Sequence, residues 1–167
     1  MNVSMAIEAA FSEAWVQASP FDGISIRTWQ SIDADGRWDP NSDRKLPLLD
    51  IRASTPEVSV EDLSRKIDLN VTCSTNSSDD QTHTTISMMY DSVLSVIETI
   101  FSDYRAGNYN SSSNPITKAF REALENQLFD GPQIVVGGFE IIGGNMPETS
   151  EGLNTISAGI SVHYYRR

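Results

Sequence analysis

One stretch constrains the fold more than any other: from Arg65 to Tyr104 an alternating segment, a polar turn and a long amphipathic segment follow one another. Between Arg65 and Ser74, the residues Ile67, Leu69, Val71 and Cys73 fall on one side while Lys66, Asp68, Asn70 and Thr72 fall on the other. That period of two is the pattern of a half-buried strand. The run Thr75-Asn76-Ser77-Ser78-Asp79-Asp80 is rich in turn formers. Beyond it Ile86, Met89, Tyr90, Val93, Ile97, Ile100, Phe101 and Tyr104 recur three and four apart, which sets them on one helical stripe. A strand and a helix with one apolar face each need partners, so the rest of the chain has to complete a sheet with helices against it.

The flanking segments supply those partners. Val3, Ile7, Ala10, Phe11, Ala14 and Trp15 form an N-terminal helical stripe, with Ser4 or Asn2 available as a cap and Ser19-Pro20 as its end. Ile24 to Trp29 alternates as a short strand after the turn Phe21-Asp22-Gly23, and Leu46 to Ser54 reads as a second strand with Pro47 near its beginning. Thr55 to Leu63 carries too many turn signals for an assignment. After the long helix, the polar break Arg105 to Ser113 leads to Asn114-Pro115, an N-cap followed by proline at the first helical position. Ile116, Ala119, Phe120, Ala123 and Leu124 stripe a shorter helix that finishes before Asp130-Gly131-Pro132.

The final section is β-rich. Gln133 to Gly143 contains Gly137-Gly138, which predicts a bulge or bend, and Asn154 to Arg166 places Ile156, Ala158, Ile160, Val162 and Tyr164 on one face. Gly144 to Gly152 joins them as a long hairpin loop. The order α-β-β-β-α-α-β-β predicts an α+β two-layer sandwich: a mostly antiparallel sheet packed with helices, closed by a C-terminal β-hairpin. With 167 residues and no linker or repeat, residues 1–167 read as a single domain.

Charge narrows the function. Twelve Lys and Arg against 23 Asp and Glu give a net charge of −11, which disfavours ordinary DNA binding because that affinity comes from cations displacing counterions from phosphates. No apolar run approaches the ~18 residues of a membrane span and the N-terminus lacks a basic segment followed by an apolar core, so the expectation is a soluble, intracellular protein without a membrane partner.

The residues that carry chemistry are few and scattered. Cys73 is the single cysteine and sits on the inward side of its strand, as a small buried hydrophobe and not as a nucleophile paired with His83. His83 falls at a helix start and His163 on the polar side of the last strand; neither lies in a zinc-binding spacing. Gly137-Gly138 and Gly143-Gly144 lack the helix start of a phosphate loop, and Asp79-Asp80 reads as helix capping. In the polar loop Ser31 to Lys45, an EF-hand frame starting at Asp33 puts Arg37 at a ligand position and Trp38 where glycine is required. The expectation is a non-enzyme without cofactor or metal.

This succession of elements resembles the tail-terminator (tail-completion) proteins of long-tailed bacteriophages. The resemblance spans nearly the whole chain and rests on Leu46-Pro47-Leu48-Leu49-Asp50-Ile51-Arg52, on Arg65 to Ser74, on the polar run into the long helix, and on the end Tyr164-Tyr165-Arg166-Arg167. It implies a virion protein of the neck, assembled in the host cytoplasm as a homohexameric ring. The ring would cap the tail tube, stop its polymerisation, offer a docking surface to the head–tail connector and let DNA pass without specific binding. Six copies would carry 6 × −11 = −66, suited to a lumen that DNA slides through. The long loops depart from the family's minimal pattern. They supply the candidate interface residues Asp33, Asp35, Arg37 and Trp38 on one and Met146, Pro147 and Glu148 on the other, with solvation as the alternative for each. Two other readings stay open: a connector, stopper or tube-like ring subunit, and a small enzyme or ligand-binding domain built around His83 or His163.

Overall fold

A computed structural model describes residues 3–18, 23–28, 46–58, 64–128, 134–142 and 146–166. In chain order its elements are α1 (Val3–Ala18), β1 (Ser25–Arg27), β2 (Leu48–Ala53), β3 (Glu57–Val58), β4 (Arg65–Asn76), α2 (Thr84–Arg105), α3 (Pro115–Gln127), β5 (Ile134–Ile142), β6 (Glu148–Ser150) and β7 (Leu153–Arg166). The fold is α+β, with a mostly antiparallel sheet and three helices among the described residues.

The sheet runs β1-β2-β4-β7-β5, with β3 beside β4 and β6 beside β7. Its spine is the antiparallel pair β4–β7, in register from Arg65 opposite Tyr164 to Asn76 opposite Leu153. Because side chains alternate along a strand, that register brings Ile67, Leu69, Val71 and Cys73 onto the same face as Ile156, Ala158, Ile160 and Val162. Leu49 and Ile51 of β2 extend this face, and all of these residues are buried in one cluster with the helices. The opposite face carries Asp50, Arg52, Asp68, Asn70, Thr72, Ser157, Ser161 and His163.

The helices cover the apolar face. α2 packs on β7, β4 and β5, and α1 on β2 and β4, while α3 rests chiefly on α1 and also on α2. This placement explains why α1 buries Val3, Ala6, Ile7, Glu8, Ala10, Phe11, Ala14 and Trp15, a wider arc than one stripe. The sheet takes one side of it and α3, through Phe120 and Leu124, another. Glu8 is fully buried, and its Oε2 accepts from the Ala53 backbone N–H at 2.9 Å, which gives a buried carboxylate a hydrogen-bonding role at the end of β2.

Several local expectations are met in detail. Asn114 caps α3 by accepting from the Ile116 N–H at 3.0 Å, with Pro115 first in the helix. The register of β5 on β7 shifts between Val136 and Gly138, a bulge at the paired glycines. There the Gly137 carbonyl accepts from the Tyr104 hydroxyl of α2, while the Tyr165 ring lies over the glycine.

Two expectations are corrected, and a third is met with one exception. Ser4 lies inside α1 and its hydroxyl donates to the Ser54 carbonyl at 2.7 Å, tying the helix to the end of β2 instead of capping its start. β1 pairs with β2 in parallel, an exception within the mostly antiparallel sheet that was expected. Part of the 144–152 loop is strand: β6 pairs with β7 as Glu148–Thr155, Thr149–Asn154 and Ser150–Leu153. Glu151 (φ 53) and Gly152 (φ 78) form the two-residue turn between them. Positive φ at both central positions is the geometry that matches the twist of a two-residue hairpin.

Candidate functional site

Asp33, Asp35, Arg37 and Trp38 lie outside the described residues. Of the other candidates, Met146 is 83% exposed, Pro147 follows it, and Glu148 is the exposed first residue of β6. All three therefore lead into the small hairpin formed by β6 and the start of β7. The structure brings that hairpin against the turn that precedes α2, a juxtaposition of segments about seventy residues apart in the sequence.

The turn is built by its own polar side chains. The Asn76 side chain accepts from the Ser78 backbone N–H at 2.9 Å, and the Asp79 and Asp80 N–H groups donate to the Asn76 carbonyl at 3.2 and 3.0 Å. His83 then takes a left-handed conformation (φ 57, ψ 23) as the N-cap residue and makes no side-chain cap. The cap comes from Asp80: its Oδ1 accepts from the Thr85 N–H at 2.9 Å and its Oδ2 from the Ile86 N–H at 3.0 Å and the Thr75 hydroxyl at 2.9 Å. A helix leaves its first N–H groups without internal partners, and a carboxylate there meets both that need and the positive end of the helix dipole.

Asp80 is 6% exposed. Burial, the largest single influence, pushes its carboxyl up. The donors from Thr85, Ile86 and Thr75 and the nearby His83 together outweigh burial and hold it below the usual carboxylate range.

The hairpin joins this group through Asn154, which is 1% exposed. Its Nδ2 donates to the Asp80 carbonyl at 2.9 Å and to Thr75 Oγ1 at 3.3 Å. Its Oδ1 accepts from the Thr149 hydroxyl at 2.7 Å. His83 Nε2 reaches the same Thr149 oxygen at 3.3 Å, and the Ser77 N–H donates to the Gly152 carbonyl at 3.0 Å. A connected polar network thus ties β6 and β7 to the start of α2.

The remaining chemistry-bearing residues are apart from it. Cys73 is buried in the core, and burial pushes its thiol up to about 12, far from the thiolate a nucleophile needs. On the polar face, the Ser161 hydroxyl donates to Asp68, while His163 Nε2 lies 3.8 Å from Glu140 Oε2. Asp50 bridges Arg27 and Arg52 at 2.7 and 2.8 Å. Asp103 of α2 accepts from the Ser112 hydroxyl at 2.7 Å and from the Thr117 hydroxyl, fixing the connection to α3. Among the described residues no group of three or more His, Cys, Asp or Glu side chains forms a metal site. No helix of theirs is long and apolar enough to cross a membrane.

Sequence reasoning placed Asp80 as a helix-start residue and missed Thr75, Thr149 and Asn154. The one available signal was the Glu151-Gly152 pair. It is weak because two-residue hairpins favour Asn or Asp ahead of glycine, where φ is positive. No protein-family model and no curated protein matches the chain.

Proposed function

We propose that this chain is a structural subunit of the bacteriophage neck, a tail terminator that closes into a ring, caps the tail tube and receives the head–tail connector. The observation that carries the reading is the layout itself. The strand–turn–helix unit β4–α2 and the long C-terminal strand β7 lie side by side at the centre, the helices take one face, and the other face is polar. The likeness to tail terminators rests on the segments Leu46 to Arg52, Arg65 to Ser74, the polar run into α2 and the end Tyr164-Tyr165-Arg166-Arg167. The titratable groups support it, since Asp80, Asp103 and Glu8 are engaged in holding the fold together.

In this reading the subunits meet head to tail around a rotation axis, so each uses two different surfaces. The Met146-Pro147-Glu148 approach to β6 and the residues Asp33, Asp35, Arg37 and Trp38, which lie outside the described residues, are the contact candidates for a neighbour, the tube or the connector. An excess of acid over base keeps DNA from adhering as it passes.

Light scattering after gel filtration, with negative-stain images, tests the ring. Six copies of the 18.4 kDa chain give 6 × 18.4 = 110.4 kDa. A chain that stays monomeric at all concentrations and also fails to form rings on tail tubes refutes the proposal. Deleting the gene in the phage separates the two neck roles: overlong tubes mark a terminator, and normal tails that do not join filled heads mark a connector. A Trp38→Ala variant that assembles and joins normally removes the anchoring role of that residue.

A further inference from the structure

The polar network at the start of α2 has a direction. Asn154 places one end of its amide against the Asp80 carbonyl at 2.9 Å, an acceptor with no hydrogen, so that end is the NH2 and the other end is the oxygen. The Asn154 oxygen then accepts the Thr149 hydroxyl hydrogen at 2.7 Å. Thr149 has only one hydrogen, so toward His83, 3.3 Å away, its oxygen can only accept. His83 must therefore carry a hydrogen on Nε2. Donors run one way, from His83 to Thr149 to Asn154, whose NH2 feeds Thr75 and the Asp80 carbonyl; Thr75 in turn donates to the Asp80 carboxylate.

The hairpin depends on this chain more than its length suggests. All three residues of β6 are exposed, so no buried side chain of the strand holds it. The backbone of His83 is committed to the arrangement as well. A left-handed conformation is uncommon outside glycine, though histidine is among the residues that tolerate it, and here it accompanies a ring that reaches the hairpin. The ionisable groups on the surrounding segments are acidic: Asp79 and Asp80 in the turn, and Glu148 and Glu151 on the hairpin. The first turn of α2 adds no acid.

We infer that His83 is a proton-dependent clasp: its Nε2–H, donated to Thr149, holds β6, the outer arm of the hairpin, against the start of α2, and holds it more tightly when the imidazole is charged. A neutral imidazole satisfies Thr149 in only one of its two tautomers, whereas the imidazolium always does. The charged form also makes the stronger, charge-assisted bond among acidic neighbours. Protonating the ring thus tightens the clasp, and deprotonating it loosens the clasp. This device does not depend on the ring.

The test uses the full chain and amide exchange in β6, residues 148–150, expressed as protection corrected for intrinsic exchange rates. Between about pH 7.5 and about pH 5.5, protection is expected to rise about two- to five-fold. The chain has two histidines, so His163→Gln is the control and leaves the rise intact. His83→Gln retains a donor but cannot titrate, and abolishes the rise. Should glutamine not tolerate the left-handed position, Thr149→Val removes the acceptor instead, lowering protection and flattening its pH dependence. Nitrogen-15 shifts of the neutral His83 ring give a direct reading, with Nε2–H as the expected tautomer. A dominant Nδ1–H form, flat protection in the parent, or a full rise in His83→Gln or Thr149→Val overturns the inference.

Discussion

Replacing Asp80 with alanine is the most informative single perturbation, because one buried carboxylate caps the 22-residue helix α2 and receives Thr75 from the central strand. Loss of a capping side chain alone costs about 1 kcal/mol. The truncation also leaves the buried Thr75 hydroxyl without its acceptor, and an orphaned buried donor adds about 1–3 kcal/mol. Together Asp80→Ala is expected to destabilise the protein by about 3 kcal/mol, lowering Tm by about 6–12 °C for a chain of this size. Asp80→Asn retains one oxygen but turns an NH2 toward backbone N–H groups or the Thr75 hydroxyl, so it recovers only part of the loss.

The pH dependence gives the argument its sharpest check. The Asp80 carboxyl is held below the usual carboxylate range, because its hydrogen bonds outweigh the effect of burial. Its contribution is therefore complete above the unfolded value, about 3.9, and disappears as pH falls through the lower folded value. Urea unfolding followed by far-UV circular dichroism would show the full gap between parent and Asp80→Ala at about pH 5, narrowing toward about pH 3. A gap under about 1 kcal/mol at neutral pH, or one undiminished in acid, would refute the reasoning.

Other substitutions probe separate links. A Cβ at Gly137 would meet the Tyr165 ring, with Cδ2 at 2.9 Å, so Gly137→Ala is expected to cost about 1 kcal/mol in the parent and much less in Tyr165→Ala. Equal costs in the two backgrounds, measured by urea unfolding, would show that the ring is not the obstacle. The buried Cys73 thiol, pushed up to about 12, should be inert to a thiol reagent in the folded protein and react only at the rate of unfolding. Rapid stoichiometric labelling under native conditions would contradict its burial. Asp103→Ala removes the acceptor of Ser112 and Thr117, and should speed amide exchange through residues 106–114 while the centre of β4 stays protected; unchanged exchange in the loop would dismiss that role.

Much of the architecture was legible because periodicity is a local property. The alternation from Ile67 to Cys73 marks β4, the three- and four-residue spacing from Ile86 to Tyr104 marks α2, and Asn114-Pro115 marks the start of α3. The glycine pair in β5 announced its bulge. Each of these follows from which way successive side chains point, or from φ restrictions of single residues. The candidate site was far less legible. Met146, Pro147 and Glu148 stood out only as parts of a polar loop, whereas Thr75, Thr149 and Asn154 look like ordinary polar residues until the chain is folded.

By itself, then, the sequence determined the helices α1, α2 and α3, the longer strands, and the buried faces of β4, β7 and α2. Only the tertiary structure decided who pairs with whom. β4 takes β7 as its partner across more than seventy residues, β1 joins β2 in parallel, and three exposed residues of the long loop become β6. The physical reason is that backbone N–H and C=O groups are the same at every residue, so strand pairing carries little sequence code and is settled by collective burial and register. The network from His83 to Asp80 is a product of that settlement. Its members become neighbours only once β7 lies beside β4 and the hairpin is brought to the start of α2.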